Sequence, residues 1–126
     1  MKRLIGISVL SGMMLLGLSM SAAYAKPQTF GEAISSRQVT AIKDILSNPK
    51  AFEGKKVTIE GTIAVECPSG CWFYLKVAEG NAAIYVDIGK SGFAIPQKKG
   101  SKILVEGEVL LQNNQPMIQG RGVELK

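Results

Sequence analysis

Cys67 and Cys71 are the only cysteines of the 126-residue chain, separated by Pro68-Ser69-Gly70. Thiols at that spacing have four possible fates. A disulfide would close the turn and stabilise it by about 2 kcal/mol through loop entropy. Two thiolates would also suit a soft ion such as Cu(I). A redox-active dithiol is the third form. Its C-x-x-x-C spacing in a turn lacks the helix N-terminus that lowers a thiol pKa, and the neighbouring Glu66 carboxylate should raise it. The fourth is a pair of inert thiols. The chain contains no His. That removes the Ser-His-Asp triad, the Cys-His nucleophile pair and the HExxH zinc site. Two thiolates alone also leave a tetrahedral zinc site two ligands short. No phosphate loop, dinucleotide fingerprint or calcium loop is present, so no cofactor is expected.

The choice among these fates depends on compartment. Lys2-Arg3 precede an uncharged, mostly apolar run at 4–18, and Ala23-Tyr24-Ala25 then places small residues at −3 and −1 of a cleavage site. This pattern predicts a cleaved secretory signal at 1–25, too short and Gly/Ser-interrupted for a comfortable membrane span. The expected mature protein is periplasmic or secreted and has no membrane span. In an oxidising compartment the Cys67–Cys71 disulfide becomes the leading reading, with the soft-metal site as its alternative. Of the 15 basic residues two leave with the signal, so 13 bases face 10 acids and the net charge falls from +5 to +3. That balance carries no strong implication about partners. Four of the five methionines also leave, making Met117 the one thioether available to a soft metal.

Residues 26–38 are polar and aperiodic and read as an irregular lead-in, with Phe30 and Ile34 as anchors. Thr40 suits a helix N-cap, Ile42, Ile45 and Leu46 follow at helical spacing, and Asn48-Pro49 ends a helix of about two turns. From Val57 the period changes to two. Strands are predicted at 57–66, 72–78, 82–88, 102–111 and 117–125, separated by turn residues. Gly61 and Gly107, each central in its strand, suggest barrel corners. The connection 89–100 is too short and Gly-rich for a good helix, and Phe93, Ile95 and Pro96 would plug the core. The expected fold is all-β: a five-stranded OB-fold-like small barrel over 39–126, with a short helix preceding its first strand. An SH3-like barrel is the alternative.

Alternation assigns faces. Val57, Ile59, Ile63 and Val65 point inward, and extension by two brings Cys67 to the same side. Phe73, Leu75 and Val77 share parity with Cys71, so the two cysteines are expected to oppose one another across the hairpin. Ile84, Val86 and Ile88 point inward from the third strand. Trp72, Tyr74 and Tyr85 are left outside, three of the seven aromatics beyond the signal. In an OB-fold this face, flanked by the loops after the first and fourth strands, takes ligands. Here those loops are 67–71 and 112–115. Either Trp72, Tyr74 and Tyr85 bind a ligand, or they pack under the helix or the 26–38 segment. Glu60, Glu66, Glu106 and Glu108 read as solvated strand faces, and Lys98, Lys99 and Lys102 as a solvated basic loop.

Several short motifs, in order, resemble a family of small exported bacterial proteins of unknown function with a tRNA-anticodon-like OB barrel. They are Phe30-Gly31-Glu32, Ile45-Leu46-x-x-Pro49, Gly54-Lys55-x-Val57, Glu60-Gly61-Thr62-Ile63, Gly70-Cys71-Trp72, Phe93-x-x-Pro96, Gly100 and Val105-Glu106-Gly107. In that family the two cysteines usually stand one residue further apart and Met follows Trp; here Phe73 takes that place. The resemblance implies an OB barrel and export, and no particular activity. The sequence therefore points to an exported, non-enzymatic OB-fold module that binds a small ligand or a periplasmic protein through Trp72, Tyr74 and Tyr85. A Cys67/Cys71 soft-metal accessory protein is the alternative. Nucleic-acid binding is disfavoured by export and by Glu60 and Glu66.

Overall fold

A computed structural model describes residues 27–77 and 80–126. The expected signal at 1–25 lies outside the described residues, as do Lys26, Ala78 and Glu79. The described elements are β1 (Gln28–Gly31), α1 (Ile42–Ser47), α2 (Pro49–Phe52), β2 (Lys56–Glu66), β3 (Trp72–Lys76), β4 (Ala83–Asp87), a 3-10 turn (Gly89–Ser91), β5 (Lys102–Gln112) and β6 (Gln115–Leu125). Strands β2 to β6 match the five alternating segments to within about two residues at each end.

These five strands close on themselves. β2 pairs antiparallel with β3 and β5, β3 with β4, and β5 with β6, while β4 runs parallel to β6 and completes the barrel. Inward residues of every strand fill the interior, among them Ile59, Ile63, Phe73, Leu75, Ile84, Val86, Ile103, Val105, Ile118 and Val123. Ile42 and Ile45 of α1 close one end, which is how so short a helix is held in place. Ile95 enters the same core, with Phe93 packed against it, so the 88–101 connection supplies a plug from two of the three residues expected, while Pro96 is exposed. Gly107 is required by a close approach: a Cβ there would meet the Gln119 carbonyl oxygen at 2.2 Å. The β5–β6 register shifts beside it, between Glu106 and Gly107, so this glycine does sit at a bend.

Four expectations are corrected. The 26–38 lead-in is not wholly irregular, because residues 28–31 form β1 and pair with 122–125 of β6. The helix therefore lies between β1 and the first barrel strand. Thr40 makes no side-chain cap; Ala41 occupies the N-cap position, and the Thr40 N–H donates to the Thr58 carbonyl at 2.7 Å. Val65 faces outward, 51% exposed, because a bulge between Ile63 and Val65 inserts Ala64 and flips the parity of the strand end. Glu106 is no solvated face: it is 3% exposed.

Candidate outer-face site and thiol turn

The bulge in β2 reorganises everything beyond it. Before it Ile63 pairs with Leu75, and after it Val65 pairs with Tyr74 and Glu66 with Phe73. Cys67 then faces Trp72, donating its N–H to the Trp72 carbonyl at 2.9 Å, rather than opposing Cys71 as simple alternation implied. The cysteines instead bracket a tight turn. Gly70 donates to the Cys67 carbonyl at 2.8 Å and takes φ +77°, and a Cβ there would strike the Ile95 carbonyl oxygen at 2.0 Å. Ile95 donates back to the Gly70 carbonyl at 3.1 Å. The Gln97 amide donates to the carbonyls of Cys67 and Pro68, and Ile88 and Gly89 donate to that of Cys71. The turn is thus fixed to the core plug on one side and to the end of β4 on the other.

Within it the Cys67 and Cys71 sulfurs stand 3.0 Å apart. A bonded pair would be at about 2.05 Å, so both are free thiols and the expected disulfide is not formed in this structure. The Ser69 hydroxyl lies 3.1 Å from the Cys67 sulfur and 3.6 Å from that of Cys71. Hydrogen bonds from Ser69 and then Cys71 hold the Cys67 thiol down to about 6, against an ordinary value of 9.0. Glu66, expected to oppose this, is not among the groups acting on the thiol. Its carboxylate accepts the backbone N–H groups of Lys98 and Lys99, at 3.0 and 2.6 Å.

The soft-metal alternative gains no third ligand here. Met117 pairs with Tyr85 and lines a groove away from the turn. Among the described residues no three His, Cys, Asp or Glu side chains are grouped to hold an ion.

The aromatic face follows the parity of β3 and β4, whose pairing has no bulge. Trp72 pairs with Asp87, Tyr74 with Tyr85, and Phe73 with Val86 on the opposite, inward face. The three outer rings form a cluster, with centroids 5.3 Å apart for Tyr74–Tyr85, 5.8 Å for Trp72–Tyr85 and 6.1 Å for Trp72–Tyr74. Burial, the Asp87 carboxylate, Tyr74 and then the two cysteines push the Tyr85 phenol up; the rings adjoin the thiol turn because Trp72 follows Cys71 directly.

Strand pairing extends this cluster in a way alternation alone did not show. Val65 pairs with Tyr74, Tyr74 with Tyr85, Tyr85 with Met117, and Met117 with Leu110. Paired residues share a face, so one outward row crosses five strands. Val65, Tyr74 and Leu110 are exposed, whereas Met117 is covered. Beside the row lies a groove of about 420 Å³ walled by Tyr74, Ala83, Tyr85 and Met117, by Leu46 of α1, and by Gln112, Asn113 and Gln115 at the β5–β6 hairpin. Asn113 and Asn114 both take positive φ, 53° and 66°, as a two-residue hairpin demands.

The described N-terminal residues, 27–38, do not cover these rings. They cross a different part of the barrel. Ser35 and Ser36 donate backbone N–H groups to the Glu106 carboxylate, the Ser35 hydroxyl adds a bond of 2.9 Å, and Lys56 stands 3.6 Å away. Arg37 grips Glu124 through two bonds of 2.8 and 2.7 Å. Burial alone would raise the Glu106 carboxyl, but the Ser35 and Ser36 donors and Lys56 outweigh it and hold the group below the usual range. The Arg37 hydrogen bond does the same for Glu124.

No family model matches the chain, and no curated protein matches it. Among solved structures, the hypothetical protein ygiW from E. coli superposes with a TM-score of 0.54 at 23% identity, over 71% of this chain and 90% of that one. The asparaginyl-tRNA synthetase from Pyrococcus horikoshii superposes equally well, TM-score 0.54 at 14% identity, over 70% of this chain but only 23% of its own. Likeness at this identity carries the fold and no activity. Together with the closed barrel and its parallel β4–β6 seam, it establishes an OB-fold.

Proposed function

We propose that this protein is an exported OB-fold binding module whose outer β3–β4 face takes an uncharged, elongated ligand, such as a neutral segment of a partner protein or a neutral oligosaccharide. The carrying observation is the five-strand row Val65–Tyr74–Tyr85–Met117–Leu110, flanked by Trp72 and bordered by the amide side chains of Gln112, Asn113 and Gln115. Clustered rings offer flat apolar contact, while amides satisfy polar edges and set orientation. Among the described residues no Lys or Arg walls the groove itself. Lys76, paired with Ala83 at the edge of the groove, is the one cation on the described outward face of β3 and β4, too little counter-charge to track a phosphate backbone. Export rests on the leader pattern at 1–25 and is checked by the N-terminus of the recovered protein, expected at Lys26.

Trp72 is the only tryptophan of the chain, so its fluorescence reports on this face alone. Titration with a neutral aromatic peptide, a neutral oligosaccharide and single-stranded DNA should give a response to one of the first two. That response should be insensitive to salt and lost in Trp72→Ala, with the fold retained. Unfolding by Trp72→Ala would make the ring a core element and remove the proposal. A response to DNA alone, falling steeply with salt, would replace it with nucleic-acid binding.

A further inference from the structure

The thiol turn carries chemistry that ligand binding on the aromatic face does not use. Its two sulfurs are 3.0 Å apart, so about 1 Å of closure would bond them. The sulfurs are also unequal. Cys67 is nearly covered, at 8% exposure, with its sulfur 3.1 Å from the Ser69 hydroxyl; Cys71 is the more open. The backbone around them is anchored at Gly70, Ile95, Gln97 and Gly89, so the pair is held together without being bonded.

We propose that Cys67 and Cys71 form a thiol–disulfide exchange site that oxidises dithiols, with Cys71 receiving the incoming thiolate and Cys67 leaving. In the oxidised form a partner thiolate attacks the open Cys71 sulfur. The Cys67–Cys71 bond breaks, a mixed disulfide forms, and Cys67 departs with the electron pair as a thiolate held by Ser69. A second thiolate of the same partner then attacks its own sulfur in the mixed disulfide and releases Cys71. The partner loses two electrons and gains a disulfide; this chain gains two electrons and becomes the dithiol. A small disulfide such as glutathione disulfide restores the oxidised form and is released as two thiols.

The polarity follows from exchange chemistry: the lower the pKa of the departing thiol, the faster it leaves. The Cys67 thiol, held down to about 6, is the better leaving group, and the covered sulfur is the poorer target. Stabilising the reduced thiolate also makes the disulfide a stronger oxidant.

The test equilibrates the full chain with glutathione and glutathione disulfide over a range of ratios, then quenches in acid, alkylates and reads the mass. The chain should interconvert between a dithiol and a form two protons lighter, and a reduced dithiol peptide should reduce that lighter form. Ser69→Ala should favour the disulfide by roughly tenfold, because a hydrogen bond to the thiolate is lost. A monothiol peptide added to the oxidised chain and quenched in acid should be found on Cys71 at least tenfold more often than on Cys67. Thiols that stay alkylatable at every ratio would overturn the proposal. So would a disulfide that the peptide cannot reduce, an unchanged equilibrium in Ser69→Ala, or a monothiol peptide trapped mainly on Cys67.

Discussion

On one side of the barrel the segment 35–37 lies across β2, β5 and β6 and seals outward-facing polar groups. On the other, β3 and β4 present rings and aliphatic side chains to solvent. Thr58, Glu106 and Glu124 are 2, 3 and 5% exposed, whereas Val65, Tyr74 and Leu110 are 51, 39 and 39% exposed. Both sets stand on the outside of the same sheet. The sealed carboxylates are tolerable because each is met by charged or N–H donors, so burial does not leave them unpaired. The exposed row has no such internal compensation: Val65, Tyr74 and Leu110 stay open and only Met117 among its members is covered, which is the pattern the proposed contact surface rests on. The N-terminal segment thus works as a structural strap, and the aromatic side remains available.

Substitutions should separate the two sides. The largest effect belongs to the strap. Glu106→Ala leaves the Ser35 and Ser36 N–H groups and the Ser35 hydroxyl short of an acceptor and should cost about 3 kcal/mol in chemical denaturation. A cost under about 1 kcal/mol would show that the strap is not clamped there.

Acid should act on the same side. Glu106 and Glu124 have folded pKa values below the ordinary 4.5, so they bind protons more weakly in the folded state. Their stabilisation is complete above the ordinary value and lost as pH falls through the depressed values. The Tm of the wild type should therefore drop below about pH 4.5, and Glu106→Gln should flatten that drop. An equal drop in the variant would place the acid sensitivity elsewhere.

On the aromatic side, Tyr74→Ala should cost about 1 kcal/mol or less in stability while weakening ligand response at Trp72. The smallest effect is expected at Val65, where Val65→Thr should stay within about 0.5 kcal/mol of wild type. A loss above about 1.5 kcal/mol would mean that Val65 points inward and that the β2 bulge is misplaced.

The same contrast explains what was legible in the residues themselves. Trp72, Tyr74 and Tyr85 could be placed outside because β3 and β4 are short and paired without interruption, so period-two alternation survives. Val65 and Cys67 could not be placed, because one inserted residue reverses every later side chain and alternation contains no signal for it. β1 was hidden for another reason. Its four residues, Gln28–Gly31, have little apolar pattern and gain their bonds from a strand more than ninety positions away. Glu106 looked solvated because a carboxylate on an outward parity is normally wet; only the strap makes it dry.

Amino-acid order by itself determined the five-strand alternation, the inward apolar set, the outward rings, the helix too short to stand alone and the absence of any His-based chemistry. These are local properties, set by side-chain period and residue type. Tertiary structure alone decided the register. It brought Val65 and Leu110 into line with Tyr74, drew residues 35–37 over Glu106, and set the two sulfurs 3.0 Å apart beside Ser69. Those outcomes depend on how distant strands slide against one another until core volume and hydrogen bonds are both satisfied. No local pattern encodes that balance.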